Sequence, residues 1–208
     1  NLLNRKKPKN SYSINYLDNC RICESNNLTR FLHFPLMPMT DNFLPWAMKG
    51  TEFLDDIDIY VCQECWVVQT LKDVDVSDYY ENYQYSVGNS NFTSNFNKYL
   101  ADKIIDKFFE FGEGLNVLEI GSGDGNLLKA FQSHGCKTLG YEPSSNLCET
   151  AERNNINTVQ GIFTRGSKRN IPKSFGEADI IALSYTFDHV PNPLSVLKEI
   201  RSLINIEE

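Results

Sequence analysis

Two Cys-x-x-Cys pairs, Cys20–Cys23 and Cys62–Cys65, tie both ends of the N-terminal third of the chain to one point. A Cys-x-x-Cys turn faces both sulfurs to the same side, and backbone amides can support them. Two such turns supply four thiolates, which complete a zinc tetrahedron at about 2.3 Å and leave no position open for chemistry. A metal bound there is structural. The 38 residues between Cys23 and Cys62 exceed the length of a minimal finger, so a domain folded around the site is expected. Redox pairs and ordinary buried cysteines are the competing readings. Two pairs at the ends of one β-rich segment favour zinc. His33 could also ligate, but with four thiols at hand it is read as structural.

The segment between the pairs holds short pieces in which apolar and polar residues partly alternate: 30–34, 57–61 and 66–70. It is too short for a generous core, and a metal cross-link would supply the missing stability. Residues 1–17 are polar and read as a flexible start. The basic run from Arg5 to Lys9 has no apolar stretch after it, so no signal peptide is read. The zinc domain with a connector rich in Tyr and Asn (Tyr79 to Ser90) is placed at 18–90. A helix of about 20 residues follows, with Phe96, Leu100, Ile104, Ile105 and Phe108 on one face and Gly112 and Gly114 at its end.

From residue 91 to 208 strands and helices alternate. Strands are expected at 116–120, 138–141, 158–160 and 179–183, and helices at 126–134, 145–154 and 193–203. Such a βαβ series builds a mostly parallel sheet with helices on both faces, an α/β fold. Four strands are fewer than a doubly wound domain of this kind uses. The domain is therefore read as incomplete, with an apolar edge that a further segment or a partner would cover.

The run Val117-Leu-Glu-Ile-Gly-Ser-Gly-Asp-Gly125 follows the first of these strands and opens a helix. A dinucleotide fingerprint, GxGxxG, would place its third glycine at 126, where this chain has Asn126. The pattern is instead Glu119 followed by glycines at 121, 123 and 125. S-adenosyl-L-methionine (SAM) carries an ammonium, which suits a Glu at a strand end, and a carboxylate, which suits the amides of a glycine turn. Glu142 closes the second strand and can accept from both ribose hydroxyls, though a nicotinamide enzyme would also place an acid there. The glycine spacing favours the class I, Rossmann-like methyltransferase domain. The cofactor-binding residues expected are Glu119, Gly121, Gly123, Gly125 and Glu142.

The fourth strand runs into Ser184-Tyr-Thr-Phe-Asp-His-Val-Pro-Asn-Pro193. Ligands of open α/β sheets lie at the carboxyl ends of the strands, so His189 should border the donor, where imidazole can move a proton. Packing or capping is its plain alternative. Tyr85, in the connector, could donate to an enolate oxygen, while Tyr79, Tyr80 and Tyr83 are read as packing. The net charge of −7 argues against a general nucleic-acid binder. Four cysteines in metal-type pairs, with Cys136 and Cys148 inside an α/β pattern, favour a reducing cytoplasm. No apolar run is long enough to span a membrane.

Three features together resemble the zinc-binding sugar C-methyltransferases, SAM enzymes that methylate nucleotide-linked ketosugars. They are Cys20-Arg-Ile-Cys23 continuing through Met37–Phe43 to Val61–Gln69, the Tyr-x-Tyr-Ser connector, and the SAM loop followed by Thr186-Phe-Asp-His-Val190. The resemblance covers about residues 18–205. It implies a zinc domain, a SAM domain and a C-terminal domain that closes over the sugar, with a Glu-His pair and a Tyr beyond the matched region. It also implies C-methylation of a keto-deoxysugar through an enolate, with Tyr85 and His189 at the sugar. Two other classes stay open: a zinc-ribbon RNA methyltransferase, against which the acidic charge weighs, and a non-catalytic SAM-binding or scaffold fragment.

Overall fold

Burial separates the chain into two kinds of stability. The computed structural model describes residues 12–39, 44–81, 83 and 86–204. It divides into two compact units, Asn1–Val76 and Ser77–Glu208.

The first unit is all β. Strand β1 (Ile14–Tyr16) pairs antiparallel with β5 (Lys72–Val74). Strands β2 (Leu28–Pro38), β3 (Leu54–Cys62) and β4 (Val68–Gln69) form an antiparallel sheet in the order β2-β3-β4. The β2/β3 register shifts between Arg30 and Leu32 and again between Phe34 and Met37. These irregularities break the simple alternation and bend the ribbon. The piece expected at 66–70 shortens to Val68–Gln69 because Trp66 is held at φ +61°, outside strand geometry. Among the described residues of this unit, three are buried: Cys20, Cys62 and Gln69. All three belong to the thiol cluster described below. A unit without an apolar centre needs a cross-link in its place.

The second unit has a core on each face of a parallel sheet. It begins with α1 (Ser77–Glu81) and α2 (Asn91–Phe108), then β6 (Asn116–Ile120), α3 (Asn126–Gln132), β7 (Lys137–Glu142) and α4 (Ser145–Arg153). Strands β8 (Thr158–Gln160) and β9 (Ile180–Ala182) and helix α5 (Pro193–Arg201) follow. The sheet order is β8-β7-β6-β9, all parallel. Successive residues of β6 point to opposite faces. Val117 packs with Ala101, Ile105, Leu128 and Phe131 of α2 and α3, whereas Leu118 and Ile120 pack with Val196 and Ile200 of α5. Each fully buried Leu or Phe contributes about 1.5–3 kcal/mol. Serines or an asparagine open three helices: Ser90 accepts from Thr93 N, Ser144 from Leu147 N, and Asn192 from Ser195 N.

The chain runs β6-β7-β8 in one direction and returns to place β9 on the other side of β6. The order therefore reverses between β6 and β9, which makes the carboxyl ends of these strands the natural ligand crevice. Among the described residues β9 has β6 as its one strand neighbour.

Candidate functional site

The four thiols converge. Sγ atoms of Cys20, Cys23, Cys62 and Cys65 all lie within 4.8 Å of one another. Cys20 and Cys65 are 3.6 Å apart, and Cys23 and Cys62 are 3.5 Å apart. A tetrahedron with Zn–S bonds of about 2.3 Å has edges of about 3.8 Å, close to the two shortest separations here, so the four donors suit zinc. Two matching turns build it. Glu24 N donates to Cys20 O at 3.0 Å and Trp66 N to Cys62 O at 2.9 Å, and both Glu24 and Trp66 stand at φ +61°. Cys20 N then bonds Ser25 O, and Cys62 N bonds Val67 O.

Neighbouring donors favour the thiolate at Cys20, whereas the Cys23 and Cys65 thiols are pushed up. Burial pushes the Cys20 thiol up, but the Cys23 and Ile22 amides, Gln69 and Cys65 outweigh it and bring it down to about 6. Cys23 has the Ser25 amide as its largest influence, which lowers it. Burial and the neighbouring thiols nevertheless carry it up to about 12. Gln69 links this turn to β4, since its Nε2 donates to Cys20 Sγ at 3.1 Å and its Oε1 accepts from Arg21 N at 2.9 Å. Arg21 reaches on to Asp73 at 2.6 Å.

At the carboxyl end of β6 the glycine loop forms a bare backbone cradle. Gly121, Gly123 and Gly125 have φ of +73°, +55° and +76°. A Cβ on Gly121 would lie 2.2 Å from Thr186 Oγ1, and one on Gly125 would lie 2.8 Å from Ile156. Beside Gly123 there is open space. Glu119 is buried, and its Oε2 has no hydrogen-bond partner. Burial above all, then the charges of Asp124 and Glu142, raise its pKa well above the usual carboxylate range. A buried acid with a free oxygen is a receptor for a cation, and the SAM ammonium is one.

Glu142 ends β7 and faces the same loop. Its Oε2 accepts from Gly123 N and its Oε1 from Ser144 N, both at 2.9 Å. Burial raises its pKa, and these two amides partly offset the rise. Asn126, where a dinucleotide fold would need glycine, is fixed through its side chain to Asn97 and Ser94 at 2.9 and 3.0 Å. The residues fit SAM better than a pyrophosphate.

Residues 92–206 match the family described as "Methyltransferase domain". This chain belongs to that family. The methyl donor of the methyltransferase domain is SAM, which the cradle of Glu119, Gly121, Gly123, Gly125 and Glu142 fits. Residues 20–80 match a second family, described as "Putative zinc binding domain". The C-methyltransferase NovU of Streptomyces niveus is 24% identical over 189 residues, which cover 90% of this chain and 45% of that protein. The chain thus spans about half the length of this relative. Among solved structures, the magnesium protoporphyrin IX methyltransferase ChlM of Synechocystis PCC 6803 aligns with TM-score 0.44 and 15% identity. That alignment covers 62% of this chain and 70% of that one. The glycopeptide N-methyltransferase MtfA with sinefungin aligns at TM-score 0.42 and 14% identity, over 52% and 50% of the two chains.

Thr186 lies against Gly121, and the 3-10 turn that follows it, Phe187–His189, carries His189 beyond β9. Its ring is 6.1 Å from that of Tyr80, and its Nε2 is 3.5 Å from Asp188 Oδ2. Tyr85 lies outside the described residues. Sequence reasoning read Tyr80 as packing and passed over Tyr185, Asp124 and Ser144. Tyr80 is half-buried, and burial and then the Asp188 charge push its phenol up. Tyr185 is 84% exposed at φ +52°, a left-handed conformation costly for an aromatic residue. Asp124 and Ser144 are buried and bonded to the connector. Asp124 stands in the middle of the glycine run, but its partners in the connector are 36 and 38 residues away, beyond the reach of local pattern.

Proposed function

We propose that this chain is the zinc-binding and donor-binding part of a SAM-dependent C-methyltransferase, acting on a carbon next to the ketone of a nucleotide-linked keto-deoxysugar. The observation that carries the reading is the likeness to a C-methyltransferase over 90% of the chain, through both the thiol cluster and the methyltransferase domain. The substrate class rests on the sugar-methyltransferase resemblance of the same segments. Further chain or a partner over the open edge of β9 belongs to the proposal.

When bound, SAM supplies a methyl group on a positively charged sulfur. Glu119 is assigned to its ammonium and Glu142 to its ribose. Carbon methylation also requires that a C–H proton beside the ketone pass to a base, leaving the electron pair on carbon and oxygen as an enolate. Tyr85 and His189 are assigned to orient the sugar and to donate hydrogen bonds to that oxygen. The new C–C bond forms as the S–CH3 bond breaks.

The test is a tritiated-SAM assay on the full-length protein with nucleotide ketosugars and, in parallel, with RNA. Label in the sugar is the expected result. Label in RNA would instead make the zinc unit an RNA-gripping ribbon, and label in neither would leave a binding or scaffold module.

A further inference from the structure

Two buried anchors tie one stretch of chain to both loops of the donor site. The first is Asp124, 3% exposed, which lies between Gly123 and Gly125. Its Oδ2 accepts from the Ser86 hydroxyl and, at 2.6 Å, from Gly88 N. Gly88 allows this approach, since a Cβ there would stand 2.9 Å from Asp124 Oδ2. The second anchor is Ser144, fully buried, two residues beyond Glu142. Its hydroxyl donates to Tyr83 O at 2.7 Å while its amide donates to Glu142 Oε1. A third tie continues the same path, because Asn126 holds Ser94 and Asn97 of α2.

The glycine turn does not require Asp124 to close, whereas Ser144 also caps α4 by accepting from Leu147 N. Gly125 N bonds Ser122 O at 2.9 Å, and Gly121 N bonds Tyr141 O at 2.7 Å, so backbone alone completes the glycine turn. A buried carboxylate is costly unless its acceptors are used. Asp124 uses them on Ser86 and Gly88, and also on Asn126 N. Its hydrogen bonding is thus directed largely at the connector. Both anchors sit next to residues assigned to the donor, Gly123 and Glu142, so donor site and connector share the same backbone.

We propose that Asp124 and Ser144 are positioning residues, which hold Tyr83, Ser86 and Gly88 against the two donor loops and thereby set the substrate side of the site relative to the transferred methyl. They act through the connector and touch neither methyl nor acceptor. The kinetic consequence rests on the function proposed above, but the anchoring does not.

The test uses full-length protein with Ser86→Ala, Asp124→Asn and Ser144→Ala, and Ser86→Thr as the variant that keeps the hydroxyl. Amide hydrogen exchange, read at Gly88, needs no acceptor substrate. Loss of one anchor should speed exchange at Gly88 about five- to tenfold, the scale of one hydrogen bond, with β6 and β7 unchanged. On a ketosugar that the wild type methylates, kcat should fall by about the same factor while KM for SAM shifts less than about twofold. Ser86→Thr should restore both. Ser86→Ala leaves the buried loops intact and keeps the test valid if Asp124→Asn fails to fold. Unchanged exchange at Gly88, exchange raised throughout the sheet, or local loosening with unchanged kcat would each overturn the proposal. A wild type inactive on every ketosugar contradicts the proposed function, while the exchange still decides the anchoring.

Discussion

Glu119 is 4% exposed with one carboxylate oxygen unpartnered, so a charge on it is poorly solvated. In the empty protein burial favours its protonated form. Its folded pKa is raised above the unfolded value. The stability it contributes is therefore full below the ordinary glutamate range and is lost as pH rises through the raised value. A bound ammonium would reverse this preference. Binding of S-adenosylhomocysteine at a pH between the ordinary and the raised value should therefore release a proton, measurable by calorimetry in two buffers of different ionisation enthalpy. Glu119→Gln should stabilise the empty protein near neutral pH and weaken that binding by about 1.5–3 kcal/mol, the scale of a charge-assisted hydrogen bond. Unchanged affinity would remove Glu119 from the donor site. His189 and Tyr85 predict the opposite split. His189→Asn and Tyr85→Phe should lower turnover of the full-length enzyme by about 100-fold and leave SAM affinity unaltered. A loss of stability with normal turnover would make them packing residues.

The glycine loop and the thiol turns are elements whose geometry yields graded predictions. Gly123→Ala meets open space and costs only its left-handed backbone, about 1–2 kcal/mol. Gly125→Ala adds a clash with Ile156 and should cost about 1–3 kcal/mol more, read as a lower Tm and weaker SAM binding. Equal losses at the two positions would contradict this packing. In the first unit, chelation or Cys62→Ser should abolish protection of amides from β1 to β5, because its described buried residues all sit at the thiols. Much of this was legible in sequence because it is local. Two Cys-x-x-Cys spacings foretell two turns, and Val117–Ile120 before three spaced glycines foretells strand, loop and helix. What the sequence concealed is pairing at a distance. The β1/β5 ladder joins Ile14 to Val74, two bulges interrupt the β2/β3 alternation, and Ser86 finds Asp124. None of these leaves a periodic trace. Trp66 was read within a strand because its left-handed turn is imposed by Cys62 O, not by its own propensity.

At the scale of the whole molecule, no helix among the described residues is long and apolar enough to cross a membrane. One unit is tied together by four thiols, and the other holds a parallel sheet whose strand order reverses beside the glycine cradle. The proposed function requires the full-length protein to form a carbon–carbon bond to a methyl group taken from SAM. Labelled SAM tests it directly. Full-length protein is incubated with SAM carrying a 13C methyl and with a nucleotide ketosugar, and the product is examined by NMR. The account predicts a 13C methyl coupled to a sugar carbon next to the ketone, with that carbon's original proton gone. A labelled methyl on oxygen or nitrogen of that product would contradict it.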